Sequence, residues 1–393
     1  MVESVIVSGM RTPIGSFQGG LSLRTAPQLG SVAIAGAVEA AKIDPAVVAE
    51  VYMGCVLTAG LGQAPARQAA IGAGIPVQAG AMTLNKVCGS GLKAVALADQ
   101  AIRCGDVEVA VAGGMESMSN APYLLPKARS GYRLGHGHII DSMICDGLWD
   151  PYHDFHMGAA GERCATEFQY TREAQDDFAL ESYRRAQAAM ATGAFTTEIV
   201  PVAIPQRTGE PVQVTTDEEP GRIDAVKFRT VRPAFATNGT ITAGNASSLS
   251  DGAAALLLMS AARATTLGCR PLARILAQAC VSQAPEWFTT APAAVIPVVC
   301  AKAGLRVAEI DLFEINEAFS CVTMHAMRTC ALDPQQVNVH GGAVALGHPI
   351  GASGARILVT LLHALERHHK RLGLATLCNG GGEALAIIIE RCT

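Results

Sequence analysis

Apolar positions along this chain repeat at two different spacings. Short runs rich in β-branched residues, Val5 to Ser8, Val51 to Met53, Met82 to Leu84 and Val107 to Ala112, read as strands. Between them Ala26 to Ala41, Pro65 to Ile71 and Gly89 to Arg103 carry helical spacing, which makes an α/β domain with a mixed, mostly buried sheet. From about Met115 to Asn245 the pattern weakens and Pro, Tyr, His, Asp and Arg become frequent. The one clear helix there, Arg172 to Thr192, carries paired charges, so this stretch reads as an inserted lid. Core-type sequence returns with the apolar run Ala253 to Met259. A second α/β series follows: strand Ala273 to Cys280, helix Ala293 to Ala303, strand Asp311 to Ile315 and helix Glu317 to Cys330.

The stretch from Asn338 to Gly382 closes that series. His348-Pro349 ends a glycine-loosened apolar segment, and Gly351 to Arg367 predicts an amphipathic helix with Ile357, Leu358, Leu361, Leu362 and Leu365 inward. The run Leu374 to Leu377 then predicts a buried strand that delivers Cys378 into Gly380-Gly381-Gly382. Glycine turn, helix and apolar strand occur in the same order from Gly89 to Gly114 and from Gly351 to Gly382. This weak repeat predicts two copies of one fold facing each other, with the insertion over their junction. The expected division is 1–118 with 250–271, an inserted 119–249, and 272–393.

Composition narrows the function. With 393 residues, 50% hydrophobic and 16% charged, the chain buries a large core. Net charge −4 and aromatic content of 5% argue against a nucleic-acid surface. No apolar run reaches the roughly 18 residues of a membrane span. Twelve Cys behind the opening MVESVIVSG point to free thiols in a reducing compartment, hence a cytoplasmic protein. His153 and His156 lack a third ligand at workable spacing, so no metal is expected.

Three side chains stand out chemically. Cys88 follows a strand and precedes Gly89-Ser90-Gly91 and an Ala-rich helix, whose dipole is expected to lower a thiol pKa of about 8.5 by one unit or more. The same residues also suit a small buried Cys in a tight turn. His348 is placed as a helix cap or as a base, and Cys378 as a core residue or as a thiol at a strand end where backbone approaches a ligand.

Four blocks break the tie: NKVCGSGLKA around Cys88, NEAF from Asn316 to Phe319, GGAVALGHPIGASGAR around His348, and CNGGG from Cys378. In order and spacing they resemble the thiolases, in the branch that forms acetoacetyl-CoA from acetyl-CoA, and the resemblance runs from Arg11-Thr12-Pro13 to Glu390. It implies a thiolase fold, two α/β halves in a five-layer α/β/α/β/α body with an inserted loop domain. It also implies reversible condensation of two acetyl-CoA to acetoacetyl-CoA and CoA, coenzyme A being substrate and product and no cofactor being needed. On that basis Cys88 carries the acyl group, His348 takes its proton, and Cys378 is the acid/base at the carbon nucleophile. The N–H groups of Cys88 and Gly380 form one oxyanion hole, and His348 with a water held by Asn316 the other. His156-Met157-Gly158 resembles the short-chain members, Met157 narrowing the acyl pocket whose wall Leu148, Phe288, Ala318 and Phe319 complete. Ser247 matches the pantetheine contact, Phe235 the aromatic near adenine and Arg222 a phosphate-region arginine, with Lys227 and Arg229 adding charge nearby. The arm Leu125 to Asp141 resembles a tetramer-forming loop, so a homotetramer acting in fatty acid metabolism is expected.

Some positions depart from the family pattern. Arg222 to Arg232 is about two residues short, Thr289-Thr290-Ala291-Pro292 replaces a glycine-containing turn, and Asn379 and Glu383 flank the last glycine turn in place of commoner apolar or small residues. The runner-up function is a broader-chain 3-ketoacyl-CoA thiolase of β-oxidation. A non-catalytic acyl-CoA binder would have lost at least one of Cys88, Asn316, His348 or Cys378, and all are present.

Overall fold

A computed structural model describes residues 2–392. The strands are β1 (Ser4–Arg11), β2 (Glu50–Gly54), β3 (Gly80–Leu84), β4 (Val109–Ser117), β5 (Ser250–Ser260), β6 (Ala273–Ser282), β7 (Leu312–Ile315), β8 (Leu372–Asn379) and β9 (Glu383–Arg391). With the short Gly15–Ser16 they make a 10-stranded sheet in the order β7-β8-β9-β6-β1-β5-β4-β2-β3. Its middle is thin. β1 and β6 share only the register pairs Val5↔Arg274 and Ile6↔Ala273, so the sheet is two half-sheets joined at a corner.

The halves repeat one topology. In the first, β1, β5 and β4 are antiparallel neighbours and β4 is parallel to β2; in the second, β6, β9 and β8 are antiparallel and β8 is parallel to β7. Helices α3 (Ser90–Cys104) and α8 (Ser353–Arg367) pack on each other between the half-sheets. Outside the first half lie α1 (Ala26–Ala41) and α2 (Pro65–Gly72), and outside the second lie α6 (Ala291–Ala303) and α7 (Ser320–Thr329). The five expected layers are present.

The central pair explains two glycine-rich motifs. A Cβ on Gly91 would come within 2.8 Å of Ala355 N, and one on Gly354 within 2.4 Å of Leu92 N, so the helices approach backbone to backbone. Val359 and Thr360, on the supposed outer face of α8, are 0% exposed along with the expected inner stripe. A helix between two sheets is buried all round, and amphipathic spacing understates its burial.

Three elements differ from the sequence expectation. The helix expected from Glu317 starts at Ser320, because the buried Glu317 carboxylate is taken by Ser182 Oγ (2.7 Å), Asn338 Nδ2 (2.8 Å) and Val344 N (3.1 Å) and holds Asn316 to Ala318 in a bend outside the helix. β9 follows the glycine turn at once and pairs with β8 and β6. Within the insertion α5 (Arg172–Ala191) is joined by α4 (Met157–Glu167), whose start is capped by His156 Nδ1 accepting from Gly158 N at 3.0 Å. The inserted residues seat on the body through Tyr170 and Ile241 packed with Phe288 and Phe319.

Candidate active site

Cys88 sits on the turn between β3 and α3. Val87 is held at φ +47°, unfavourable for a β-branched residue, by Val87 N donating to Asn85 Oδ1 (2.9 Å) and by its carbonyl accepting from Ser90 Oγ (2.6 Å). The strain turns Cys88 towards a cavity, and the backbone N–H groups of Gly380 and Cys88 donate towards its sulfur. The expectation of a lowered thiol pKa is overturned. Burial pushes Cys88 up to about 12 against those two N–H groups, and the nearby Glu116 carboxyl adds to the rise. A helix end moves a thiol by about a unit, and desolvation here is larger.

His348 reaches the same cavity from the other half. Its N–H donates to the Ser248 carbonyl (3.1 Å), after Gly347 has turned the chain at φ +107°. Imidazole Nδ1 lies 2.6 Å from Ser353 Oγ, and that hydroxyl donates to Pro349 O at 2.9 Å. With its one hydrogen spent, Ser353 accepts from Nδ1–H, which leaves the Nε2 lone pair free. Nε2 is buried and, among the described residues, has no protein partner. Burial, reinforced by Arg356, lowers the His348 pKa to about 3, so the resting pair is neutral thiol and neutral imidazole.

Cys378 is the penultimate residue of β8 and is 1% exposed, packed with Met157, Phe288, Ala318 and Phe319 one layer behind the cavity wall. Burial, then the charge of a Cys88 thiolate, drives its pKa up, which places the two sulfurs within mutual influence. Asn316 is also 1% exposed and outside the lining. Among the described residues it caps no helix, and both its Nδ2 and Oδ1 are buried without a protein partner. Orphaned polar atoms at that depth need an explanation, and a bound water would supply one.

The cavity has a volume of about 490 Å³. Of the residues singled out in the sequence, Cys88, Leu148, His156, Met157, Arg222, Phe235, Ser247, Phe288, Ala318, Phe319, His348 and Gly380 line it. Met157 packs beside the glycine turn: its sulfur would lie 3.5 Å from a Cβ on Gly380. His156 stacks on Phe235 with centroids 4.8 Å apart, and burial lowers the imidazole pKa. Ser247 Oγ donates to Ala318 O at 2.9 Å. At the mouth Arg222, with a 59% exposed side chain, faces Glu219 at 3.6 Å. Lys227 and Arg229 do not reach the cavity; each pairs with an acid, Asp224 and Asp177 respectively.

Several participants carried no local signal. Ser353 orients the imidazole. Glu116, at the end of β4, accepts from Val56 N (3.0 Å), Leu57 N (3.1 Å) and Gly351 N (2.9 Å), so it ties the chain just after His348 to the first half. Burial raises its pKa to about 7 against those three donors. A π-helical turn, Met143–Leu148, adds Met143, Ile144 and Gly147 to the wall. His153 lies 3.7 Å from both Asp150 and Glu286, and among the described residues no group of three or more His, Cys, Asp or Glu is arranged to hold a metal. Among them, too, no helix is long and apolar enough to cross a membrane.

Known proteins resemble this chain along nearly its whole length. Residues 4–262 match the family model "Thiolase, N-terminal domain" and residues 269–391 match "Thiolase, C-terminal domain". Acetyl-CoA acetyltransferase 1 of Arabidopsis thaliana is 53% identical over 387 residues, covering 98% of this chain and 93% of that one. Acetyl-CoA acetyltransferase of Pseudomonas aeruginosa is 52% identical over 392 residues, with 100% of both chains covered. A crystal structure of the Acat5 thiolase from Ascaris suum in complex with coenzyme A superposes with a TM-score of 0.94 at 43% identity, over 99% of this chain and 100% of that one. On family models that together span nearly all of it, and on relatives of about half identical sequence along its whole length, the chain belongs to the thiolase family.

Proposed function

We propose that the protein is an acetyl-CoA C-acetyltransferase that condenses two acetyl-CoA reversibly to acetoacetyl-CoA and CoA. The observation that carries this reading is the Cys88 sulfur approached by two backbone N–H groups in the cavity that also receives the free Nε2 of His348. Full-length relatives bearing the acetyl-CoA acetyltransferase name support the substrate.

The chemistry follows from the groups. Cys88 passes its proton to His348 Nε2 as sulfur attacks the acetyl thioester carbon, and the neutral resting pair requires transfer and attack to be coupled. The carbon–sulfur bond to CoA breaks, and CoA leaves with the proton from His348. Cys378, a neutral thiol at rest, passes its proton to the vacated Nε2 of His348 as its sulfur takes a proton from the methyl of a second acetyl-CoA. The enolate carbon attacks the Cys88 acyl carbon, acetoacetyl-CoA departs, and the Cys88 thiolate recovers its proton from His348, which leaves Cys378 a neutral thiol again. Atoms balance without a metal or other cofactor. The N–H groups of Cys88 and Gly380 serve the oxyanion on the acyl-enzyme, and His348 with a water on Asn316 serves the enolate oxygen.

Met157 beside Gly380 favours short acyl groups over the broader-chain alternative. Phe235, Ser247 and Arg222 line the same cavity, which supports a role in holding the coenzyme A arm. The arm closed by Tyr123–Leu124 paired with Ile140–Asp141 exposes Leu134 at 99% and Ile139 at 64%, which suits a second copy and a homotetramer. Twelve free thiols suit the cytoplasm, and the C–C bond chemistry suits fatty acid metabolism. A thiolysis assay comparing acetoacetyl-CoA with 3-ketohexanoyl-CoA tests the reading: higher kcat/KM on acetoacetyl-CoA is expected, and the reverse order establishes the broader-chain enzyme instead.

A further inference from the structure

The hairpin between β8 and β9 is tipped by Gly380, Gly381 and Gly382, and this tip supplies the N–H group that faces the Cys88 sulfur. Gly381 and Gly382 sit at φ +90° and +84°. Successive glycines gain the most freedom when unrestrained. An oxyanion donor, by contrast, must stay within about 0.5 Å of its working position.

Polar side chains close the tip. Asn379 and Glu383 are the last register pair of the hairpin, and Asn379 Nδ2 donates to Glu383 Oε2 at 3.1 Å, with a longer contact of 3.4 Å to Gly380 O. Glu383 Oε1 accepts from Ser282 Oγ of β6 at 3.1 Å. The same carboxylate crosses to the other catalytic turn and forms an ion pair with Lys86, two residues before Cys88. Asn379 Oδ1 packs at Gly89, where an added Cβ would lie 3.0 Å away. Although burial opposes ionisation, Lys86, Asn379 and Ser282 hold the Glu383 carboxyl below its ordinary range.

We propose that Lys86, Glu383 and Asn379 are positioning residues that clamp the Cys88 turn to the glycine tip and fix the span between the two oxyanion N–H groups. The clamp acts by geometry. The influences on the Cys88 thiol are burial, the two N–H groups and Glu116, and Glu383 neutralises the Lys86 charge. The inference rests on the acyl-transfer reading above.

The test uses Lys86→Met, Glu383→Gln, the double variant and Lys86→Arg in the full chain. Each single loss should lower kcat for acetoacetyl-CoA thiolysis about tenfold, a fraction of what deleting an oxyanion donor costs, with KM for both substrates within about twofold. The double variant should be no slower than the worse single one, because one clamp is broken once. Lys86→Arg should restore at least half of kcat. Amide hydrogen exchange at 380–382, read without substrate, should speed up about tenfold in Glu383→Gln at unchanged melting temperature. Single effects that multiply in the double variant, a change confined to KM, or unaltered exchange at the tip would overturn the clamp. An inactive wild type whose tip exchange still responds would remove only the acyl-transfer reading.

Discussion

His348 Nδ1 lies 2.6 Å from Ser353 Oγ, and the hydroxyl hydrogen is already committed to Pro349 O at 2.9 Å. Five residues of chain therefore decide which imidazole nitrogen is the base. Ser353→Ala frees the ring to take the wrong tautomer without touching substrate. We expect kcat to fall roughly tenfold to a hundredfold with KM nearly unchanged, and Ser353→Thr to keep most activity. Steady-state kinetics at saturating CoA check this; an unchanged kcat in Ser353→Ala contradicts it.

Asn316 offers a test that separates function from stability. Its two polar atoms are buried and, among the described residues, have no protein partner, so removing them breaks no hydrogen bond within the protein. Asn316→Ala should leave the melting temperature unchanged or raise it while kcat falls about a hundredfold, the scale of losing an oxyanion donor. A destabilised variant of normal kcat would make Asn316 a packing residue.

The raised Cys88 thiol sets a pH dependence. With burial holding the pKa up to about 12, the thiolate fraction rises about tenfold per pH unit throughout the range below it. Alkylation of Cys88 by iodoacetamide, followed by peptide mass analysis, should therefore accelerate from pH 7 to pH 10 without levelling. A plateau near the ordinary thiol value of about 8.5 would mean that the helix end and the two N–H groups outweigh burial.

How far the sequence reached is visible in these residues. Cys88, His348 and Cys378 stood out as candidates because each stands near a junction of glycine turn with helix or strand, but that local feature left a bland reading open for each, and only the resemblance carried by the four blocks assigned their roles. Ser353 and Glu116 did not stand out, since their roles depend on partners brought together by folding, such as Gly351 N on Glu116. The Cys88 pKa was misjudged in sign because helix polarity is local and burial is not. The start of α7 was placed three residues early because Glu317 is claimed by Ser182 and Asn338, distant in sequence. In α4 the small residues of MGAAGERCATE gave too little apolar periodicity to stand out.

Met157 is 9% exposed and packs with Cys378 and Phe288 behind the turn at Gly380. Met157→Ala opens room for about two substrate methylenes, worth about 0.8 kcal/mol each. The ratio of kcat/KM for 3-ketohexanoyl-CoA over acetoacetyl-CoA should rise roughly fifteenfold. The same truncation should cost about 2–5 kcal/mol of stability. Lower stability with an unchanged ratio would make Met157 a packing residue and remove it as the chain-length gate.

The central claim is that Cys88 carries the acyl group, and it is tested most directly by trapping. Incubating the Cys378→Ala variant with acetyl-CoA alone, then digesting and weighing the peptides, should find one acetyl group per chain on the Cys88 peptide, released when CoA is added back. Acetyl confined to another cysteine, or none on Cys88, contradicts the account.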